Sequence, residues 1–402
     1  MFKNAIIGQS GGPTAVINAS LYGVIKEAME QEQIHRVYGM KNGIEGLLKG
    51  NILDLKDVYE TKNFDRLKHT PASFLGSCRF KLPEIWDETY QNIFEIFKEY
   101  EIGYFFYIGG NDSMDTVSKL SAYAKEIGFN IKIIGIPKTI DNDLYLTDHT
   151  PGYGSAAKFI ATSVKEIMLD SKVYDMESVT IVEIMGRHTG WLTAASALAL
   201  DTKDRCELMV YLPETPFDME GFIESLKDRL KLNKTVIVAV SEGIKFADGT
   251  YVCETGQALS LDNFGHKSLG GCGKVLENEV KNKLTVKVRS IELNVLQRCA
   301  STCASKTDID EAVMAGKNAV TYALQGETGK MVAFVREKES DYEIKTVSVD
   351  VENVCNKEKF FPATWIYDIC NITDDFIAYV KPLIAGEVQV DYENGIPVFL
   401  EL

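Results

Sequence analysis

The chain has 402 residues, of which 45% are hydrophobic and 25% charged, with a formal net charge of -15. That length exceeds one small core and suits two lobes, and the ordinary composition excludes fibrous and disordered classes. The acidic balance argues against a nucleic-acid partner, whose phosphates demand a basic field, so basic residues serving a small anion must be gathered locally.

Six short apolar runs, each closed by Gly or a polar turn, predict buried strands, and helical spacing predicts helices between several of them. In chain order these are strand Asn4–Ile7, helix Ala15–Glu30, strands Tyr104–Ile108 and Ile131–Ile136, helix Ser155–Leu169, strand Val179–Ile184, helix Asp218–Leu232 and strand Val236–Val240. A surface loop is expected over Leu261–Gly273, then strand Val286–Leu293 and helix Ile309–Leu324. The tail from Lys338 is acidic and weakly patterned. Strands alternating with helices indicate an α/β protein with mostly parallel sheets covered on both faces. No opening segment has the pattern of a secretory leader, and no apolar run reaches the roughly 20 residues of a membrane span, so a cytoplasmic protein without membrane contact is expected. The eight cysteines form no CxxC pair. Cys299 and Cys303 would share a face only on a common helix, and small buried thiols in a reducing compartment are expected.

Ligands of parallel sheets bind at the carboxyl ends of strands, so the residues after each run matter most. The first end is Gly8-Gln9-Ser10-Gly11-Gly12-Pro13-Thr14, either a backbone cradle for an anion or a tight structural turn. The second, Gly109-Gly110-Asn111-Asp112-Ser113, offers a carboxylate for hydrated Mg²⁺ or an N-cap for the next helix. The third, Pro137-Lys138-Thr139-Ile140-Asp141-Asn142-Asp143, packs cation, hydroxyl and acids into seven residues, suited to phosphate, metal and proton transfer. The later ends hold Glu183 through Gly190, Ser241-Glu242-Gly243, and Arg289 through Arg298. With Arg79 and Lys81, these arginines form the local basic set that an anion site requires.

The strings GQSGGPTAVINA, LGSCRFK, IGGNDS, PKTIDND, VEIMGR, SEG and LQR stand in the order found in the phosphofructokinase family, and the chain resembles that family from about residue 4 to about residue 325. The resemblance implies two Rossmann-like lobes, with the site in the cleft and the chain crossing more than once. It implies a donor-binding lobe of 1–152 plus about 297–358, and a sugar-phosphate-binding lobe of about 153–296 plus 359–402. It implies Mg²⁺-dependent phosphoryl transfer to the 1-hydroxyl of fructose 6-phosphate, with Asp141 as base and Thr139 beside it. Met185, Gly186, Arg187 and Glu242 would line the sugar phosphate. Arg298 would bind the 6-phosphate together with Arg289 of a neighbouring subunit, and Gly12 and Arg79 would belong to the phosphoryl donor. Shared sites imply at least a homodimer or homotetramer.

Asp112 and Lys138 stand where ATP-using members usually have Gly, which resembles the pyrophosphate-dependent branch. An Asp fills and charges the place of the ATP α-phosphate, and a Lys supplies a cation to the small donor. Ile44 stands where ATP-using relatives often pack an aromatic on adenine. Asn111 stands at the position the resemblance gives to Mg²⁺ contact, in place of the usual Asp, and is the expected metal residue, with Asp112 or water to compensate. Val295 and Ser178 also depart from the family pattern. Four alternatives remain at this point: an ATP-dependent enzyme, a pyrophosphate-dependent sedoheptulose 7-phosphate kinase, a non-catalytic sugar-phosphate-binding regulator and a two-lobed solute-binding protein.

Overall fold

A computed structural model of the chain describes residues 2–200, 207–255, 270–338 and 342–402. The chain divides into two compact units. One comprises Met1–Ser155, Arg298–Glu358 and Ala385–Leu402, the other Ala156–Gln297 and Lys359–Ile384.

The first unit is built on a seven-stranded sheet. Its strands are β1 (Asn4–Gln9), β2 (Val37–Met40), β3 (Ile52–Asp54), β4 (Ile102–Gly109) and β5 (Lys132–Pro137). The second unit contributes β6 (Ser178–Ile184), β7 (Leu208–Tyr211), β8 (Thr235–Ser241) and β9 (Lys287–Glu292), and the chain then returns to the first sheet with β10 (Lys330–Lys338) and β11 (Glu343–Asp350). The order of the large sheet is β11-β10-β5-β4-β1-β2-β3. It is parallel from β10 to β2, and the edge strands β3 and β11 run antiparallel to their neighbours.

Strand alternation sends side chains to two covered faces. Ala5, Ile7, Phe106, Ile108 and Ile134 pack with the helices Ile17–Met29 and Lys306–Leu324. Ile6, Phe105, Tyr107 and Ile133 pack with Glu88–Glu99 and Asn111–Glu126. Helices Ile17–Met29 and Lys306–Leu324 approach backbone to backbone: a Cβ on Gly23 would lie 2.2 Å from Val313 O, and one on Gly316 2.1 Å from Ser20 O. Neither position tolerates a side chain without separating the helices.

The second unit holds a wholly parallel sheet of order β7-β8-β6-β9. Val179, Ile181, Val236 and Val238 bury against Phe222, Leu226 and Leu276 of the helices Met219–Leu232 and Cys272–Lys283.

All six expected strands and four expected helices are present, with ends shifted by a few residues. The expected loop Leu261–Gly273 lies outside the described residues over 261–269, and its last two positions start a helix instead, because Gly271 in a left-handed conformation turns the chain into Cys272–Lys283. Cys299 ends the helix Leu296–Cys299 and Cys303 lies in a separate 3₁₀ turn, so they share no helix face. Cys206 lies outside the described residues; the other seven cysteines are free thiols. The tail is ordered by long-range bonds: Arg66 Nε donates to Asp391 Oδ2 at 2.7 Å and Leu400 N to Thr70 Oγ1 at 3.0 Å. Among the described residues, no helix is long and apolar enough to cross a membrane.

Candidate active site

In the first unit the carboxyl ends of β1, β4 and β5 lie side by side, with Gln9 paired to Ile108 and Gly109 to Pro137. The three polar segments after them therefore converge. Lys138 is 3% exposed, and its Nζ donates to Gly12 O at 2.7 Å. A Cβ on Gly12 would stand 3.3 Å from Arg298 Nη1, which brings Arg298 to the same loop. Burial pulls the Lys138 ammonium down from 10.5 to about 8; Asp141 and Asp143 oppose that shift, and Arg298 and Arg79 add to it. Gly12, Arg79, Lys138, Asp141 and Arg298 thus form one electrostatic cluster, the local concentration of cations that an acidic chain needs to hold an anion.

Thr139 Oγ1 accepts from Asp141 N at 3.1 Å, and Asn142 adopts a left-handed conformation with φ +54°–its Oδ1 accepts from Thr150 N at 3.1 Å. Gly110 precedes the helix Asn111–Glu126 and places Asp112, exposed, in the first turn, where the dipole favours a negative group. Asn111 is committed elsewhere. Its Oδ1 accepts from Asn356 N at 2.5 Å and its Nδ2 donates to Lys357 O at 2.6 Å, tying the 356–357 turn to the helix start. Ile44 is fully buried in the core and presents no surface to a nucleotide base.

Two residues not singled out from the sequence hold the Arg79 loop. Buried Gln9 donates from Nε2 to Asn18 Oδ1 at 2.8 Å and accepts from Leu75 N at 2.9 Å. Asn18 donates to Thr70 O at 2.8 Å and accepts from Phe74 N at 2.9 Å. Both lie inside the GQSGGPTAVINA string, whose amide side chains were the available signal.

The second unit gathers a separate group at the ends of β6 and β8. Gly186 N donates to Glu242 Oε1 at 3.4 Å, Ser241 Oγ donates to Gly186 O, and Met185 N donates to Gln297 Oε1 at 3.2 Å. A Cβ on Gly243 would lie 2.0 Å from Arg187 O, so the two segments touch through backbone. Among the described residues Arg187 Nε is buried without a hydrogen-bond partner. Glu183 takes no part in this surface: its carboxylate accepts from Gly271 N at 2.9 Å and Gly273 N at 2.8 Å and caps the helix Cys272–Lys283. Arg289 is apart from this group. It pairs with Thr180 near the start of β6, and its Nη2 donates to Asp170 Oδ2 at 2.8 Å.

Comparison with known proteins accords with this arrangement. The family model described as Phosphofructokinase matches residues 4–323. A protein of Methylococcus capsulatus named pyrophosphate–fructose 6-phosphate 1-phosphotransferase is 39% identical over 406 residues, covering 100% of this chain and 96% of its own. The crystal structure of a pyrophosphate-dependent phosphofructokinase from Nitrosospira multiformis superposes with a TM-score of 0.90 at 37% identity, covering 100% of this chain and 96% of its own. A pyrophosphate-dependent phosphofructokinase from Marinobacter aquaeolei gives a TM-score of 0.88 at 38% identity, covering 99% and 95%.

Proposed function

The chain belongs to the phosphofructokinase family, and on that premise we propose that it transfers a phosphoryl group from inorganic pyrophosphate to the 1-hydroxyl of fructose 6-phosphate, yielding fructose 1,6-bisphosphate and phosphate. The transfer is reversible and serves glycolysis or its reverse. The observation that carries the donor assignment is the buried ammonium of Lys138, held against Gly12 O in a cluster with Arg79 and Arg298. A small, highly charged donor needs such a concentrated cation, and Asp112 in the helix's first turn occupies space and charge that a nucleotide's inner phosphate would claim.

Phosphoryl transfer asks of the protein alignment, a base for the acceptor and cations around the transferring group. Asp141 takes the proton of the 1-hydroxyl as its oxygen bonds to phosphorus and the bridging P–O bond breaks. Thr139, which accepts from Asp141 N, orients the loop that carries the base. Gly12, Lys138 and Arg79 hold pyrophosphate. Met185, Gly186, Arg187 and Glu242 hold the sugar phosphate, with Arg298 on its 6-phosphate. Arg289, which lies away from the strand-end group of its own unit, is assigned on the family resemblance alone to the 6-phosphate of a neighbouring subunit in a homodimer or homotetramer. A cytoplasmic location fits these substrates.

Magnesium takes oxygen ligands, keeps several waters and needs one or two carboxylates beside phosphate oxygens. Among the described residues no group of three or more His, Cys, Asp or Glu could hold a metal, and the Asn111 amide already binds backbone at both ends. The carboxylate of Asp112, completed by water, would thus be the fitting protein donor for Mg²⁺ arriving with pyrophosphate, which leaves Asp141 free to act as the base. Held there, Mg²⁺ would supply neutralisation of charge on the phosphate oxygens.

The test is direct. Purified protein is incubated with Mg²⁺ and fructose 6-phosphate, with either pyrophosphate or ATP, and fructose 1,6-bisphosphate is measured. Product with pyrophosphate alone supports the reading; product with ATP alone overturns it. Sedoheptulose 7-phosphate in the same assay decides the sugar.

A further inference from the structure

The segment 138–152, which carries Lys138, Thr139 and Asp141, lies between β5 and the helix Tyr153–Ser171. Its outgoing limb is zipped to its return limb: Thr139 N donates to Pro151 O at 3.2 Å, Thr150 Oγ1 to Thr139 O at 2.8 Å, and Thr150 N to Asn142 Oδ1 at 3.1 Å. The return limb must itself be fixed, or the zipper would place Asp141 against a moving support.

Two buried carboxylates of one helix provide that support. Asp308, 2% exposed, accepts from Gly152 N at 2.9 Å through Oδ1 and from Ser155 N at 2.8 Å through Oδ2. Glu311, 6% exposed and one turn further along Lys306–Leu324, accepts from His149 Nε2 at 2.7 Å. His149 is 1% exposed, its Nδ1 meets Asp148 Oδ1 at 2.9 Å, and its ring stacks on Phe334 at 4.9 Å. Tyr342 Oη donates to the other oxygen of Glu311 at 2.6 Å, and Arg336 pairs with Asp148 at 3.0 Å. Charges are costly to bury and are retained where they are fully hydrogen-bonded. Here they converge on backbone and side chains of a single limb, and the helix bearing them is locked by the contact at Gly316.

We propose that Asp308 and Glu311 are positioning residues for the phosphoryl transfer: acting through Gly152, Ser155 and His149, they hold the return limb that is bonded to Thr139 and Asn142 on either side of Asp141. The proposal rests on the assignment of Asp141 as the base. The bonds that the two carboxylates make go to the limb and to Tyr342. Their effect belongs to alignment, where a displacement of an ångström lowers turnover steeply.

Glu311→Gln and Asp308→Asn keep shape and remove charge, and Asp310→Asn, on the exposed side of the same helix where it pairs with Lys306, is the control. Should either carboxylate variant fail to fold, Thr150→Val cuts the zipper with a smaller perturbation. Hydrogen exchange of the full chain is read in 138–152 and, for reference, in β6. Loss of a charge-assisted bond is expected to speed exchange in 138–152 by roughly tenfold or more, leaving β6 unchanged. With pyrophosphate and fructose 6-phosphate, kcat per folded molecule should fall by about tenfold while KM for the sugar holds. Unaltered exchange in 138–152, or equal loss of protection everywhere, overturns the proposal, as does an undiminished kcat in the folded variants. If the unmutated chain makes no bisphosphate from pyrophosphate, the functional reading fails instead, and exchange alone then decides whether the carboxylates hold the limb.

Discussion

Replacing Lys138 with Met tests the donor site most sharply. The side chain is almost fully buried, so a Met of similar length fills the space while removing the charge and the bond to Gly12 O. One pre-organised electrostatic group typically supplies about 10²–10³ in kcat, equal to ~2.7–4 kcal/mol of barrier, and the buried setting places Lys138→Met in that range. The pH dependence gives a second, independent readout. Burial lowers the ammonium to about 8, so in the free enzyme the cation is present below that pH and is lost above it. Above pH 8, kcat/KM for pyrophosphate should therefore decline by up to about tenfold per pH unit. The assay is bisphosphate formation across pH 6 to 10 at limiting pyrophosphate, for both proteins. In Lys138→Met the whole curve should drop and the limb near 8 should vanish. A variant with near-normal kcat, or one that keeps the same basic limb, would refute the assignment of charge stabilisation to Lys138.

Asp112→Gly should raise ATP use from a low base, because the exposed carboxylate at the helix start no longer repels an inner phosphate; unchanged donor preference in a ten-point titration of ATP would remove Asp112 from donor choice. Asp141→Asn keeps shape without basicity and should lower kcat by about 10²–10⁴ with fructose 6-phosphate binding intact, measured by turnover and by calorimetric titration. Arg298→Gln should raise KM for the sugar by about one to two decades, following the loss of ~1.5–3 kcal/mol from a charge-assisted contact; because Arg298 Nη1 also approaches Gly12, KM for pyrophosphate is measured alongside, and equal damage to both would assign it to the donor. For His149, burial lowers the imidazole pKa, but Glu311 and Asp148 outweigh it and raise the group from 6.5 to about 9. Its contribution to stability is then complete below pH 6.5 and is lost progressively as pH rises to about 9, at up to ~1.4 kcal/mol per pH unit for one proton. Thermal melts of the unmutated chain and His149→Gln at pH 6.5, 7.5 and 9 should show that this part of the slope disappears in the variant; identical slopes would mean that the ring is not charged in the fold.

The central strands were legible because burial on both faces makes each a continuous apolar run: every residue of β1 and β4 is buried. β2 and β7 are just as buried but only four residues long, too short to stand out from neighbouring helices and turns. β11 is half-exposed along its length, as an edge strand can be, and its mixed composition left the tail looking unpatterned. The helix Cys272–Lys283 was missed for a different reason, since its start depends on a left-handed glycine and on the Glu183 carboxylate arriving from β6.

The same division runs through the site. Lys138, Thr139 and Asp141 were recognisable because chemistry that must act on one phosphorus atom is packed into a few consecutive residues at a strand end. What holds those residues still is dispersed. Asp308 meets Gly152 across 156 positions and Glu311 meets His149 across 162, and no local pattern marks either partner. A carboxylate at the third position of a helix is an ordinary feature of helix starts, favoured there by the dipole alone. Only the fold reveals that Asp308 serves a second helix start, that of Tyr153–Ser171, as well as its own. Burial then separates the two explanations. A carboxylate placed for its own helix dipole is content in solvent, whereas one kept at 2% exposure and pushed up to about 6 by desolvation is retained against its own solvation for the backbone it binds.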